Sequence, residues 1–219
     1  APMPDTSAVV FANGEGQQLV GILHLPDGGI NGRPCILLLS PGVKMRVAPH
    51  RMYNKMAEAF VAEGFPVLRF DFAGLGDAEG EVDIHVSAHS LSSSILPMLP
   101  LHEQAVPGSG IVKKERVSLM RLDKIAPAYL REARTIFLKV DTQGYEDHVL
   151  RGASGVLNRL TAVQVELSLA PLYAGQPLID SMRNQLDGLG FELFALFPGH
   201  VHETTGQTLQ VDGLFVRRC

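Results

Sequence analysis

Long apolar runs, clusters of like charge and paired cysteines are all scarce in this sequence. No apolar run approaches the ~20 residues that span a bilayer, so we expect no transmembrane helix. No basic run suggests a nucleic-acid partner, and no acidic tail is present. The opening APMPDTSAVVF has neither the basic region nor the apolar core of a secretory signal. A disulfide between the two cysteines, Cys35 and Cys219, is the less favoured alternative, and we predict a reducing, cytoplasmic environment.

What remains is the composition of an ordinary globular protein. The chain has 219 residues, of which 46% are hydrophobic and 19% charged, with a net charge of −4. That length can bury a substantial core and accommodates one domain or two small ones. The oligomeric state is left open by these figures.

Short apolar strands alternate with amphipathic helices along most of the chain. The apolar runs at 35–40, 66–71, 136–141 and 163–168 are typical of strands that are covered on both faces. The pattern predicts an α/β fold, a three-layer sandwich around a mostly parallel, Rossmann-like sheet. Further predicted elements are a hairpin (7–12 and 18–25), a strand (82–88), helices at 49–63, 144–160 and 177–190, and a closing antiparallel pair (191–197 and 209–217).

The first third of the chain resembles an α/β-hydrolase of the exosortase-associated type. The resemblance covers roughly residues 8–80 and depends on SPGVK at 40–44 and RFDFAGLGDAEG at 69–80. In that family the SPGVK position forms part of the oxyanion hole. The nucleophile motif G-x-S-x-G occurs nowhere in the chain, so a hydrolase reading would need another nucleophile, for instance Ser40 with His50. We rank esterase activity last among the alternatives.

The rest of the chain, from about Gly74 to Arg218, resembles an FkbM-type methyltransferase. Its most specific motif is K-x-D-x-x-G-x-E, formed by Lys139, Asp141, Gly144 and Glu146 within FLKVDTQGYEDHVLRGA. The resemblance implies transfer of a methyl group from S-adenosylmethionine to a hydroxyl of a small-molecule acceptor. Open α/β sheets place ligand-binding groups at the carboxyl ends of their strands.

Candidate site residues follow from that placement. We predict catalytic roles for Asp141 and Glu146 and a substrate contact for Glu166 and Ser168. Asp141 is also a candidate for the cofactor. The structural alternatives are that Asp141 caps the turn before the helix and that Glu166 and Ser168 are polar residues at the edge. We assign no metal site, and we expect the serine cluster at 90–94 to be a flexible loop rather than a substrate contact.

The glycine-rich cofactor loop that normally opens such a methyltransferase is missing. The hydrolase-like unit stands in its place, where Gly42 and Asp71 are the candidates for the cofactor loop and the ribose carboxylate. The chain therefore resembles a fusion, with a hydrolase-like segment at 1–80 and a methyltransferase-like segment at 81–219. A catalytically silent α/β binding module is the alternative function.

The layout shared by the two families predicts one continuous sheet. It places strand 35–40 between strands 66–71 and 136–141. Two elements compete for the edge beside strand 66–71, the hairpin at 7–25 and the strand at 82–88. Two separate sheets split near residue 80 would contradict this prediction.

Overall fold

The computed structural model describes residues 5–12, 18–29, 33, 35–39, 52–70, 78–128, 130 and 135–218. These residues form ten strands and five α-helices. The strands are β1 (Asp5–Ala12), β2 (Gln18–Leu25), β3 (Cys35–Leu39), β4 (Val67–Phe70), β5 (Gly80–Ser87), β6 (Ile111–Leu119), β7 (Ile136–Val140), β8 (Leu160–Ser168), β9 (Phe191–Pro198) and β10 (Gln210–Arg217). The helices are α1 (Met52–Ala62), α2 (Pro100–Ala105), α3 (Leu122–Ile125), α4 (Glu146–Gly152) and α5 (Ile179–Gly188).

Eight strands join into one sheet in the order β1-β2-β4-β3-β7-β8-β10-β9. The four central strands, β4, β3, β7 and β8, are parallel, and β3 lies between β4 and β7. The terminal strands β9 and β10 pair antiparallel at one edge. The predicted α/β class, the strand order at the centre and the closing pair are therefore confirmed.

The N-terminal hairpin occupies the edge beside β4. Strand β2 pairs with β4 in antiparallel orientation, and β1 pairs with β2. Strand β5 instead pairs with β6 in a separate two-stranded sheet. Because β5 pairs with β6, it does not occupy the edge beside β4.

Helices cover both faces of the large sheet. Val67 packs with Ala57 and Val61 of α1 on one face. The next residue along the strand, Leu68, belongs to a larger core on the other face, as consecutive strand residues point to opposite sides. That core also contains Val149 and Leu150 of α4 and apolar side chains from α3 and α5, including Ile125, Met182 and Leu186. The three-layer arrangement follows from these two cores.

Two helices differ from the sequence prediction. Helix α4 ends at Gly152 instead of continuing to residue 160. The Asp123 carboxylate accepts hydrogen bonds from the Gly155 amide (3.1 Å) and the Ser154 hydroxyl (3.2 Å), which holds the chain in turns after α4. Helix α2 was not predicted at all. It begins with Pro100, a residue suited to the first turn of a helix.

None of the helices within the described ranges is long and apolar enough to cross a membrane.

Candidate active site

Polar side chains lie together where β7 and β8 end. They are on the same face of the sheet as α1, which packs over β3 and β4. Asp141 follows directly after β7, and Glu166 lies near the end of β8. The parallel register pairs Val140 with Val165, which places Asp141 beside Glu166. Phe137, two residues before Lys139, packs against the α1 core, so Lys139 points to that same face. The carboxyl ends of two central parallel strands thus present charged groups together.

A tight turn connects β7 to α4 and shapes the site. Gln143 and Gly144 have positive φ angles of 56° and 94°. The Glu146 side chain stabilises this turn, because its Oε1 accepts hydrogen bonds from the amides of Thr142 (2.8 Å) and Gly144 (3.2 Å). The Thr142 hydroxyl donates a third bond to the same oxygen at 3.2 Å. Glu146 is buried and acts on the turn rather than on the open face.

The Gln143 amide joins the two carboxylates. Its Nε2 donates to Asp141 Oδ1 at 3.1 Å and to Glu166 Oε2 at 2.9 Å. Its Oε1 accepts from the Tyr173 hydroxyl at 3.0 Å. Gln210 donates a further bond to Glu166 Oε2 at 2.7 Å. These bonds explain how a non-glycine residue is held at positive φ, since the surrounding contacts fix its side chain.

Lys139 supplies the positive charge of the cluster. Its Nζ lies 3.1 Å from Asp212 Oδ1 and 3.6 Å from Asp141 Oδ2, and the side chain is almost fully buried. Burial alone would lower the pKa of Lys139, but the charges of Asp141 and Asp212 outweigh it and raise the pKa. The ammonium group therefore stays protonated and neutralises part of the acidic charge.

Burial changes the protonation of the carboxyl groups. It raises the pKa of Glu146 from 4.5 to about 7. Burial, followed by the charges of Asp141 and Glu146, raises the pKa of Glu166 well above 4.5. At neutral pH the cluster therefore carries less negative charge than the same carboxylates would carry in water. Within the described ranges, no group of three or more histidine, cysteine or acidic side chains has the geometry of a metal site.

The sequence matches the family described as Methyltransferase FkbM domain over residues 53–193, which is more than half of the chain. The chain belongs to the FkbM methyltransferase family. The match begins inside the hydrolase-like segment, so the two resemblances overlap between residues 53 and 80. This overlap does not test the proposed fusion.

Two solved α/β-hydrolases show partial structural likeness to this FkbM chain. One, from Novosphingobium aromaticivorans DSM 12444, gives a TM-score of 0.41 at 14% identity, covering 90% of this chain and 54% of that one. The other, GrgF from Penicillium sp. sh18, gives 0.28 at 21% identity, covering 62% and 46%. The chain thus spans about half the length of these hydrolases. No curated protein matches the sequence.

The structure brings four of the predicted site residues into one region. Asp141, Glu146 and Glu166 belong to the hydrogen-bonded cluster, and Ser168 is buried at the end of β8, paired with Gln210 of β10. The roles assigned to these residues stay predictions. The predicted cofactor residues Gly42 and Asp71, and the alternative pair Ser40 and His50, lie outside the described residues.

Several residues of the cluster were not singled out from the sequence. Gln143 lies inside the FkbM motif, and that position was the available signal. Tyr173 and Gln210 reach the site from distant parts of the chain, and no local pattern marks them. The serine segment also differs from expectation, because Ser94 is buried and its hydroxyl donates to the Gln143 carbonyl oxygen at 2.7 Å. Ser94 thus packs against the turn between β7 and α4.

Replacing Gly144 by alanine is expected to destabilise the protein by roughly 1–3 kcal/mol, because a non-glycine residue is strained at positive φ. A Cβ there would also lie 3.1 Å from the Cβ of Gln176 and 3.2 Å from that of Tyr173. Gly188 of α5 is the matched control. Its Cβ would meet nothing within 4 Å, so alanine should stabilise the helix by up to about 1 kcal/mol. Urea unfolding measures both changes, and effects of the same sign would contradict the assignment.

Proposed function

We propose that this chain is an O-methyltransferase that uses S-adenosylmethionine and acts on a hydroxyl group of a small molecule. The observation that supports it most strongly is the pairing of Asp141 and Glu166 through Gln143 at the carboxyl ends of two central parallel strands. Ligand sites of open α/β sheets lie at this position. The FkbM motif contributes Asp141 and the turn that follows it.

The described residues suit the charge of the proposed cofactor. S-adenosylmethionine supplies a methyl group on a positively charged sulfur and carries a second positive charge on its amino group. Carboxylates favour such a ligand by charge attraction, and Asp141 keeps a fifth of its side chain exposed, at 20%. We assign Asp141 to the cofactor side. Gly42 is retained as part of the proposed cofactor-binding loop, and Asp71 as the proposed carboxylate for the ribose.

The acceptor is proposed to be a hydroxyl because the site contains carboxyl groups suited to taking up a proton. General bases work best when their pKa lies near the working pH. Burial raises the pKa of both Glu146 and Glu166 above the usual value of a glutamate. Glu166, which is only half-buried, is the better placed of the two to meet an acceptor. Ser168 would flank it. Glu146 is proposed as a positioning residue, since its Oε1 is bonded to the turn.

Thermal unfolding with and without S-adenosylmethionine or S-adenosylhomocysteine tests the cofactor assignment. A ligand at a hundred times its Kd stabilises the native state by about 2.7 kcal/mol, which corresponds to roughly 5–10 °C in Tm for a chain of this size. We expect such a rise for the wild type and its loss in Asp141→Asn. The conservative amide keeps the shape of the side chain and removes its charge.

Asp180→Asn is the matched control, because Asp180 is exposed in the first turn of α5. It should leave the ligand-induced rise unchanged. A wild-type protein whose Tm does not move with either ligand would overturn the methyltransferase proposal and favour the silent binding module. If the ligand binds, transfer of a labelled methyl group to a panel of hydroxylated small molecules identifies the acceptor class.

A further inference from the structure

Strand β9 forms one edge of the large sheet and exposes an unusual number of large apolar side chains. Phe194 is 71% exposed, Leu196 50%, Phe197 45% and Leu193 38%. Strand β9 pairs with β10 along one side, and no described strand pairs with its other side. An exposed edge strand with apolar side chains is a surface that readily pairs with another chain.

The protective features that usually prevent edge pairing are weak on β9. The strand contains no lysine, its single charged residue is Glu192 near its start, and its proline is the last residue, Pro198. A register shift against β10 leaves Phe194 as an extra residue, since Ala195 pairs with Leu214 and Leu193 with Phe215. Such bulges normally blunt an edge, but here the extra residue is the most exposed phenylalanine.

We infer that two copies of this chain associate through β9, related by a two-fold axis with the two β9 strands antiparallel. The sequence FELFALFP favours this arrangement over a parallel one. With the axis near Ala195, Leu193 faces Phe197 of the second copy and Phe194 faces Leu196, so that apolar side chains meet apolar side chains. In a parallel pairing the two Glu192 carboxylates would lie beside each other.

Charge and symmetry both support a second copy as the partner. In the antiparallel arrangement the two Glu192 side chains are six residues apart along the strand, about 20 Å at the usual rise. That distance exceeds the ~8 Å screening length at physiological salt, so their repulsion is small. A two-fold contact between identical patches also closes on itself, so neither β9 strand keeps a free edge.

The exposed apolar side chains of β9 would supply about half of the area that a standard dimer interface buries. Taking about 200 Å² for a fully exposed side chain of this size, the four apolar residues expose roughly 400 Å² in each copy. Two copies would bury roughly 800 Å² from these side chains alone, about half of a standard interface of some 1,600 Å². The dimer would have to bury the remainder through the paired strand backbones and the side chains next to them.

Light scattering coupled to size-exclusion chromatography tests the inference on the full chain. We expect the wild type to have twice the chain mass of 23.7 kDa. Phe194→Glu and Leu196→Glu should each halve the apparent mass, because they place a charge at the centre of the contact. Val112→Glu is the matched control, since Val112 is 62% exposed on β6 of the separate small sheet; it should remain dimeric.

Hydrogen exchange of the wild type gives a second measurement that needs no variant. Amides at 191–198 should become more protected as the protein concentration rises, while amides of β6 should not change. A wild type that is monomeric throughout the accessible concentration range would overturn the inference. Edge variants that stay dimeric, or a wild type that forms open-ended oligomers, would overturn it as well.

Discussion

Leu138→Ala is expected to destabilise the protein by about 2–5 kcal/mol, the range for removing a fully buried leucine side chain. Leu138 is 0% exposed in β7, at the centre of the sheet. It pairs with Leu37 of β3 on one side and Val163 of β8 on the other. A cavity at this point is bounded by regular strands on both sides, and the surrounding structure cannot easily collapse into it.

Val112→Ala is the control for this prediction because Val112 is exposed on the small sheet. It should change the free energy of unfolding by less than about 0.5 kcal/mol, the usual range for surface positions. Urea unfolding measures both variants, and a lower midpoint at unchanged slope identifies a true loss of stability. Equal effects of the two substitutions would mean that β7 is not the core of the sheet.

The centre of the fold was predictable because its sequence pattern permits few readings. Strands β3, β4 and β7 are short segments rich in apolar residues, apolar residues recur along β8, and β3 and β4 are separated by a helical segment, α1. Parallel strands buried on both faces produce this pattern, and a strand–helix–strand connection fixes their relative direction. The shared layout then placed β3 between β4 and β7, as observed.

The edges of the sheet were less predictable because several strands satisfied the same local pattern. Strands β2 and β5 both had the composition of a half-exposed strand, and either could have paired with β4. What decides the outcome is the β5–β6 pairing, which joins residues 80–87 to residues 111–119. Such pairing depends on contacts across a long loop, and hydrophobic periodicity contains no information about it.

The motif residues of the candidate site could be predicted from the sequence, but the hydrogen-bond network around them could not. Asp141 and Glu146 were identified because they belong to a short motif at a strand end. The partner of Gln143, Tyr173, lies 30 residues further along the chain, and Gln210 lies 44 residues from Glu166. Tertiary packing brings these groups together. A sequence pattern that spans a few residues does not report such contacts.

The exposed apolar edge at β9 likewise depends on tertiary structure and could not be predicted from local sequence. The segment FELFALFP is predicted as one strand of the closing antiparallel pair, and the strand is present. Its exposure becomes visible only once the strand order places β9 outside β10. The sequence therefore indicates the element correctly, whereas the interaction surface emerges from the topology.

The buried carboxyl of Glu146 should make the stability of this protein fall as the pH rises. Its pKa is raised by burial from 4.5 to about 7, so between these values the folded state binds more protons than the unfolded state. Stability from this group is fully present below pH 4.5 and is lost progressively up to about pH 7. A shift of this size corresponds to about 3 kcal/mol.

Glu146→Gln isolates this contribution, because the amide resembles the protonated acid. Its Oε1 can still accept from the Thr142 and Gly144 amides, so the turn should persist. Relative to the wild type, the variant should be more stable near pH 8 than near pH 4.5, by a difference of about 3 kcal/mol. Urea unfolding at the two pH values measures it, with Glu58→Gln on the exposed face of α1 as the control. A variant whose stability follows the wild type in parallel at both pH values would show that Glu146 gains no proton on folding.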